Sequence, residues 1–548
     1  MNTNNLIILL VVIPLLGSAV CSVGKITSKL IICKISIAAA MLCNLYVLIL
    51  TYPLISGGNE LTFIIGGWEP VAGIAFGFDM LGWIVSLLIL VITSMSMLFA
   101  FSEDHYSPMF YFTILVLLAG MKGILLTRDL FNLFVFFEIL AITSYILIAY
   151  LQKSHSVLAS FKYLIVGSAA MLIYLLGVFI IYQSTGSLSF SAIEQMRLSG
   201  EYVKLHFAIV AIFTGIGVRC AFIPFHTWLP EAHAYAPHPV SAILSGVMIK
   251  AAFISLWRIL ATGGLSDLNS IFLIIGVVTA FLGAFWALCE NDAKKILAFS
   301  SVSQIGYIVS AFSIATTLSR SASLYHIISH AFSKSLLFLS VGCVVWMTGE
   351  RNIRKLGGFW KSNPFLTILF LTAALSITGV PPFGGFVSKK MILESSLDIP
   401  FVYSLLFATS IITFGAYIKI SSIFFGPFRN RIEECSKARK IPVSAYLPLM
   451  LLSALCIGTG LFPDFWTGFF HSGINAGQPM IASGVYSIKG FLELVPVIIG
   501  GILLYSGTTQ KTGILIAKTV RATNATLSDA VFFVLTGFVA ILLILWYS

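Results

Sequence analysis

Ionisable side chains recur inside the longest apolar runs of this chain. Glu138 sits in "FNLFVFFEILAITSYILI", Arg219 in "GIGVRCAFIPF" and Lys250 in "AILSGVMIKAAFISLW". His326, His330 and Lys334 share "YHIISHAFSKSLLFL", and Lys122, Lys162, Lys389, Lys390 and Lys419 are further cases. Charged groups at such positions are costly and usually mark a route for ions or protons. The three in the eleventh run are spaced i, i+4, i+8. On a helix they lie close to one face, stepping about 6 Å along the axis. A ladder at that step can relay protons through intervening waters. Polar helix packing is a second reading. A metal site is a third, because two histidines at i, i+4 can bind zinc; Lys334, a cation, stands where a further ligand would be needed. An ammonium can give up its proton and a guanidinium cannot. Lys250, flanked by Ile249, Ala251 and Ala252, is therefore a plausible carrier. Arg219 is a fixed countercharge, with Glu138 as its natural partner. Any single lysine could instead snorkel to the interface.

The elements that must position these groups are membrane spans. The 548 residues are 58% hydrophobic and 10% charged, with mean hydropathy +1.00. Soluble domains carry about 25% charged residues. Sixteen apolar runs approach the length of about 20 residues that a bilayer demands: 5–21, 30–54, 78–101, 109–127, 130–151, 158–182, 205–226, 238–260, 268–288, 294–316, 322–347, 364–397, 402–425, 446–463, 490–506 and 530–547. They lack the short alternating segments of a transmembrane barrel. The composition and the runs predict an all-α polytopic membrane protein. Two runs are interrupted. "RCAFIPFHTWLP" carries Pro224 and Pro230, and "ITGVPPFGGFVSKK", five spans later, carries Pro381 and Pro382. Paired broken helices in two halves are a transporter pattern, with the site near mid-membrane. A chance pair of prolines is the plainer reading, since proline is common in membrane helices.

The N-terminal run lacks a basic flank and a small-x-small cleavage site, so it is expected to be the first span. The eight cysteines are scattered, with no closely spaced pair. They read as small hydrophobes, and neither a cluster nor a zinc site is expected. The net charge of +11 is topological rather than a nucleic-acid signal. Loops after odd-numbered spans hold Lys25, Lys29, Lys153, Lys294, Lys295 and Arg351, and continue through 354–361, 429–440 and 511–521; the opposite loops hold only Arg128, Arg197, Lys204, Arg258, Arg320 and Lys489. The basic side is the cytoplasmic one. Both termini are then expected outside, and the segments 348–363 and 426–445 inside. No Gly-rich dinucleotide fingerprint or P-loop is present, so no cofactor is expected in this chain.

Five segments carry a resemblance: "DLFNLFVFFEILAITSYILIAY", "PFHTWLPEAHAYAPHPVSAILSGVMIK", "NDAKKILAFSSVSQIGY", "SHAFSKSLLFL" and "GVPPFGGFVSK". They resemble the antiporter-like proton-translocating subunits shared by Mrp-type cation/proton antiporters, respiratory complex I and energy-converting membrane hydrogenases. The "DLFNLFVFFE" stretch is most similar to the D-type subunit of the Mrp antiporters. The resemblance spans about 105–425 and implies fourteen core helices with two inverted five-helix repeats, at 109–260 and 268–425. Residues 1–108 would be the N-terminal helices, and 426–548 an extension with about two more. It further implies a proton path. Glu138 matches the fifth-helix glutamate, Lys250 the eighth-helix lysine, His330 and Lys334 the eleventh-helix linker, and Lys389 the twelfth-helix basic residue that opens to the far side. Lys294, Lys295 and His326 join that path. The family's seventh-helix lysine falls on Arg219, a departure from the pattern.

The function expected is proton translocation within a multisubunit Na+/H+ antiporter of Mrp type. The alternatives are a proton-pumping subunit of an NADH:quinone oxidoreductase or hydrogenase complex, or a structural partner that has lost transport. Whether such a chain counts as part of an enzyme depends on that choice. The expected partners are other hydrophobic membrane subunits, protons, Na+ and the lipid bilayer, with no nucleic acid. The expected location is the cell's inner (plasma) membrane.

Overall fold

The computed structural model describes residues 3–547 except 28, 68–72, 104, 263–264, 266–267, 428–440, 472–484 and 511–526. The basic clusters at 429–440 and 511–521 therefore lie outside the described residues. Among the described residues the fold is a helical bundle with one small hairpin, and thirteen helices are long and apolar enough to cross a membrane. Three shorter apolar helices, Pro364–Thr378, Gly490–Ser506 and Ser528–Leu543, account for the remaining apolar runs.

The N-terminal helices are α1 (Leu6–Ile26), α2 (Leu30–Ile55) and α3 (Met80–Phe101). Between α2 and α3 a small antiparallel hairpin pairs β1 (Leu61–Ile64) with β2 (Ala75–Phe78), Leu61 facing Phe78 and Ile64 facing Ala75. Then come two five-span units. The first holds α4 (Pro108–Leu126), α5 (Leu130–Ile148), α6 (Ser154–Thr185), a broken span made of α8 (Tyr202–Cys220) and α9 (Leu229–Tyr235), and α10 (His238–Thr262); a surface helix α7 (Ser191–Leu198) precedes the broken span. The second holds α11 (Asn269–Cys289), α12 (Ala293–Ile314), α13 (Thr317–Thr348), a broken span made of α14 (Pro364–Thr378) and α15 (Gly384–Ser395), and α16 (Pro400–Phe425). After these come α17 (Tyr446–Leu461), α18 (Pro463–His471), α19 (Ile488–Gln510) and α20 (Leu527–Tyr547).

The two units correspond position by position. Their third spans are both 32 residues long and both end at a left-handed glycine, Gly186 and Gly349. Their second spans start at an aspartate cap: the Asp129 side chain accepts from Asn132 N–H, and Asp292 accepts from Lys294 and Lys295 N–H. Each aspartate also forms an isolated bridge to the loop after the third span, Asp129 to Ser189 and Asp292 to Asn352. An odd number of spans per unit returns the chain on the opposite face, so the second unit is inverted.

The core sits in α10, α12 and α13. Their most apolar windows are wholly buried, against 39% for α1 and α2. Close approach of α11 and α12 depends on glycine: a Cβ on Gly306 would lie 2.1 Å from Ala280 N. The groups on these central helices therefore meet protein and not lipid, which is what makes ionisable residues tolerable there.

Candidate functional site

The first broken span answers why a guanidinium and two prolines share one stretch. Helix α8 ends at Cys220 because Ala221 turns left-handed (φ 56°). Pro224 lies in the turn, after a cis Ile223–Pro224 bond, and Pro230 stands in the first turn of α9. That position suits proline, since its missing N–H would have had no helical partner anyway. Backbone groups freed by the break are met by side chains. Trp228 Nε1 donates to the Val218 carbonyl at 2.8 Å, and Ile223 N–H donates to Thr279 Oγ1 at 3.0 Å.

Arg219 occupies the last turn before this break. Its Nη2 donates to Glu138 Oε1 at 3.0 Å, while Nη1 reaches the hydroxyls of Tyr145 (3.4 Å) and Tyr163 (3.3 Å). Tyr163 is in turn stacked on Trp228, with ring centroids 3.8 Å apart. The two partners differ in setting. The Arg219 side chain is 1% exposed and that of Glu138 is 30% exposed. Glu138 lies on the outer side of α5, in a stripe with the exposed Phe131, Val135, Ile142 and Ile146.

The centre of the molecule holds a different arrangement. Lys250, fully buried in α10, donates to the Ser245 carbonyl. A π-helical turn over Leu244–Met248 widens the ladder there. Such turns are rare and often occur at functional sites. On α13, His326 is held at both ring nitrogens, Nδ1 by Ser388 Oγ at 2.9 Å and Nε2 by Gln304 Oε1 at 3.0 Å. His330, one turn on, has no partner for either nitrogen, and its ring centroid is 6.1 Å from that of His326. Lys334 donates to the Leu297 carbonyl (2.9 Å) and to Tyr417 Oη (3.1 Å). Lys389, on α15 just past the second break, has no hydrogen-bond partner; its Nζ lies 5.1 Å from the centre of the Tyr307 ring. His330 is within electrostatic range of Lys250, Lys334, His326 and Lys389 at once.

The remaining cations are placed otherwise. Lys162 is ion-paired to Glu231 of α9 at 3.0 Å. Lys122 donates to the Ser86 carbonyl at 2.6 Å and ties α4 to α3, and Lys419 covers the C-terminal carbonyls of α11, with Leu288 O at 2.8 Å. Lys294 is buried and donates to the Ala236 carbonyl at 2.7 Å; Lys295 beside it is half-buried. Lys390 is paired with Glu493 of α19 and, at 3.4 Å, with Glu394. Pro381 and Pro382 form the second break, again with a cis bond between them. There a Cβ on Gly385 would lie 1.7 Å from the Ser376 carbonyl oxygen, so "PPFGG" needs its glycines. Among the described residues no three His, Cys, Asp or Glu side chains gather as a metal-holding group.

Reasoning from the sequence missed several partners. Glu231 and His233 stood in "PFHTWLPEAH", where an acidic residue and a histidine beside a break were available signals. Gln304, Ser388, Tyr417, Tyr145 and Tyr163 offered none, because hydroxyls and amides in an apolar helix look like packing residues. At the second break the Gly379 and Val380 N–H groups close onto the Ser376 and Leu375 carbonyls, each at 3.0 Å.

Broken helices at matched positions of two inverted units, with buried cations between them, define a transporter-type membrane subunit. Residues 127–421 match the family described as NADH:quinone oxidoreductase/Mrp antiporter, TM, and the chain belongs to it. It is 30% identical over 474 residues to the D-type subunit of the Na(+)/H(+) antiporter of Alkalihalophilus pseudofirmus, covering 83% of this chain and 94% of that one. It is 32% identical over 398 residues to the N-type subunit of the NADH-quinone oxidoreductase of Desulforudis audaxviator, covering 70% and 77%. A chain of the Mrp complex from Dietzia sp. DQ12-45-1b superposes with a TM-score of 0.78 at 25% identity, over 91% of this chain and all of that one.

Proposed function

We propose that this chain is the proton-carrying subunit of a multisubunit cation/proton antiporter of Mrp type. The observation that carries the reading is the line Lys250, His330, Lys334 and Lys389: buried, within electrostatic range of one another, and closed by broken helices. Two unit charges one helical step apart, about 6 Å, repel by roughly 3 kcal/mol at an effective dielectric near 20. A proton arriving at one station therefore drives off the proton at the next. His326, held at both nitrogens, positions the line, and His330 stands within it with neither nitrogen hydrogen-bonded. Lys294 stands at one end of the route and Lys295 beside it.

Arg219 keeps its charge throughout. Its role is to pair with Glu138 and fix that side chain at the edge of the first unit. A half-exposed carboxylate in an apolar stripe suits a protein partner better than lipid. That supports neighbouring hydrophobic subunits; we place the chain with them in a plasma membrane, its basic face, with Lys153 and Arg351, toward the cytoplasm by the Lys/Arg bias of the loops. The breadth of the match to the D-type antiporter relative, over 94% of that chain, favours the antiporter. The similarity to the N-type quinone oxidoreductase relative supports the second reading, a proton-pumping subunit of a redox complex.

The test is to purify the chain with its neighbours from native membranes, identify them, and measure proton movement in proteoliposomes. Small hydrophobic subunits with Na+-dependent proton flux are the expected result. Peripheral flavin or iron–sulfur subunits, with flux that needs an electron donor and ignores Na+, would replace the first reading by the second.

A further inference from the structure

A cavity of about 660 Å³ opens beside the ends of α3, α9 and α13. It lies on the face whose loops carry Lys153, Lys294 and Arg351. Among its lining residues are Glu103, His105, His155, His238, Lys294 and Arg351. Arg351 is engaged with Asp292 at 3.2 Å and with the Ala234 carbonyl at 2.8 Å, over the Tyr235 ring. Glu103 belongs to the loop after α3, outside both five-span units, and is 3% exposed. Its Oε2 is buried and lies 3.7 Å from His105 Nε2.

The residues behind Glu103 lead inward. Lys294 is within electrostatic range of Glu103 and also of His233 and His238. His233 is fully buried in α9, and neither of its ring nitrogens has a partner. It is in range of Lys294, Lys250 and Lys334 together. An orphaned imidazole thus stands between the cavity wall and the central line.

We propose that this cavity is the proton inlet on the basic face, that Glu103 is its loading group, and that Lys294 and His233 pass the proton to Lys250 and Lys334. A hydronium ion from the aqueous phase protonates the Glu103 carboxylate and leaves as water, and the acid gives that proton to the neutral Lys294 amine. The resulting ammonium protonates His233, which delivers to the neutral amine of Lys250 or Lys334. Each donor returns to its starting form, and no bond other than O–H and N–H is made or broken. Glu103 suits a loading group. Burial pushes its carboxyl up to about 7, with the Tyr106 hydroxyl and the Lys294 charge pulling the other way. The titratable and charged groups around it are His105 and Tyr106 on its own loop, Tyr150 after α5, Lys153 and His155 at the start of α6, His238 on α10, Lys294 on α12, and Cys343 and Arg351 on and after α13.

The inlet rests on the proton-carrying reading above, so Lys250→Ala serves as the control that tests that reading by itself. In vesicles of the assembled complex, Glu103→Gln should cut proton flux at least 10-fold at equal assembly. Glu103→Asp should keep a third or more and shift the pH at half-maximal flux away from about 7. A structural role gives a different pattern. A carboxyl with a raised value loses folding stability as pH rises from its ordinary range through about 7, and glutamine does not. Glu103→Gln would then gain stability relative to the parent over that window while flux and its pH profile stayed put, which overturns the proposal. Val345→Cys in the cavity wall gives an independent measurement. A charged methanethiosulfonate added from the basic face should label it and block flux, with the parent chain as the reagent control. No labelling, or full labelling with unchanged flux, rules the inlet out. Loss of flux in Lys250→Ala without loss in Glu103→Gln sinks the inlet alone, whereas normal flux in Lys250→Ala sinks the transport reading itself.

Discussion

Arg219 and Lys389 flank the two broken helices, Arg219 in the last turn before the first break and Lys389 just past the second, and they are treated in opposite ways. Arg219 has a carboxylate and two tyrosine hydroxyls. Lys389 has no hydrogen-bond partner and only the face of Tyr307. A guanidinium keeps its proton, so its surroundings must compensate a permanent charge. An ammonium that is charged for part of a cycle needs surroundings that tolerate both forms, and strong partners would trap one of them. The same contrast recurs between His326, bonded at both nitrogens, and His330, bonded at neither. On the proposed reading, partner count separates Arg219 and His326, which hold the site, from Lys389 and His330, which change state within it.

The largest effect should come from the poorly partnered side. Lys250→Ala should lower proton flux by at least two orders of magnitude while the complex assembles normally, because its one acceptor is a backbone carbonyl. Lys389→Ala should do the same and leave thermal stability level or higher, since an unpaired buried ammonium costs stability. Flux by vesicle fluorescence and melting by detergent-phase calorimetry read the two outcomes. A variant of Lys389 that unfolds yet transports would reverse the comparison.

The well-partnered side should fail the other way. Breaking a buried ion pair by removing one partner costs roughly 3–5 kcal/mol. Removing the Glu138 carboxylate should cost more than removing Arg219, because the guanidinium left behind is 1% exposed while the carboxylate is 30% exposed. Arg219→Lys should keep the ion pair and lose the two tyrosine bonds, retaining part of both stability and flux. A double-mutant cycle on Arg219→Ala and Glu138→Gln checks the coupling; simple additivity of the two losses would show that the pair is not a unit.

The histidines sharpen the comparison on a smaller scale. His326→Ala should destabilise by about 1–3 kcal/mol, since Gln304 and Ser388 lose their buried partner. His330→Ala should leave melting nearly unchanged and reduce flux about 10-fold. The reverse assignment would mean that hydrogen-bond count does not report role.

Much of this fold was legible in advance. Apolar run length located the helices, and prolines beside cations located both breaks, because bilayer thickness and the missing N–H act through local sequence. The pairing of Glu138 with Arg219 also followed from charge alone. What chain order could not carry was contact across spans. Lys162 looked like one more intramembrane lysine until Glu231, 69 residues away, came to lie beside it. Gln304 and Tyr417 acquire meaning only when α12 and α16 bring them to α13. The π turn before Lys250 left no sign either, since "LSGVM" reads as ordinary apolar helix.

The smallest expected effect concerns the cation next to Lys389. Lys390 is the well-partnered neighbour at the second break, with Glu493 of α19 and Glu394 one helical turn along. Its ammonium lies at an 8% exposed side chain, whereas the two carboxylates are 27% and 38% exposed. Partly exposed pairs of this kind are worth about 1 kcal/mol or less. Glu493→Gln should therefore cost little, because Glu394 takes over the same ammonium. Glu394→Gln should cost still less, since Glu493 is the closer partner. The double variant should lose more than the two singles combined, as it alone leaves Lys390 unpaired. Flux decides what this means for the comparison. Lys390 points to α19 and Lys389 to Tyr307, so the Lys390–Glu493 pair anchors α19 and stands apart from the line. Glu493→Gln should keep flux within about twofold of the parent in the same vesicles. A fall of 10-fold or more at normal assembly would place a firmly paired cation inside the route, and partner count would no longer distinguish holding from carrying.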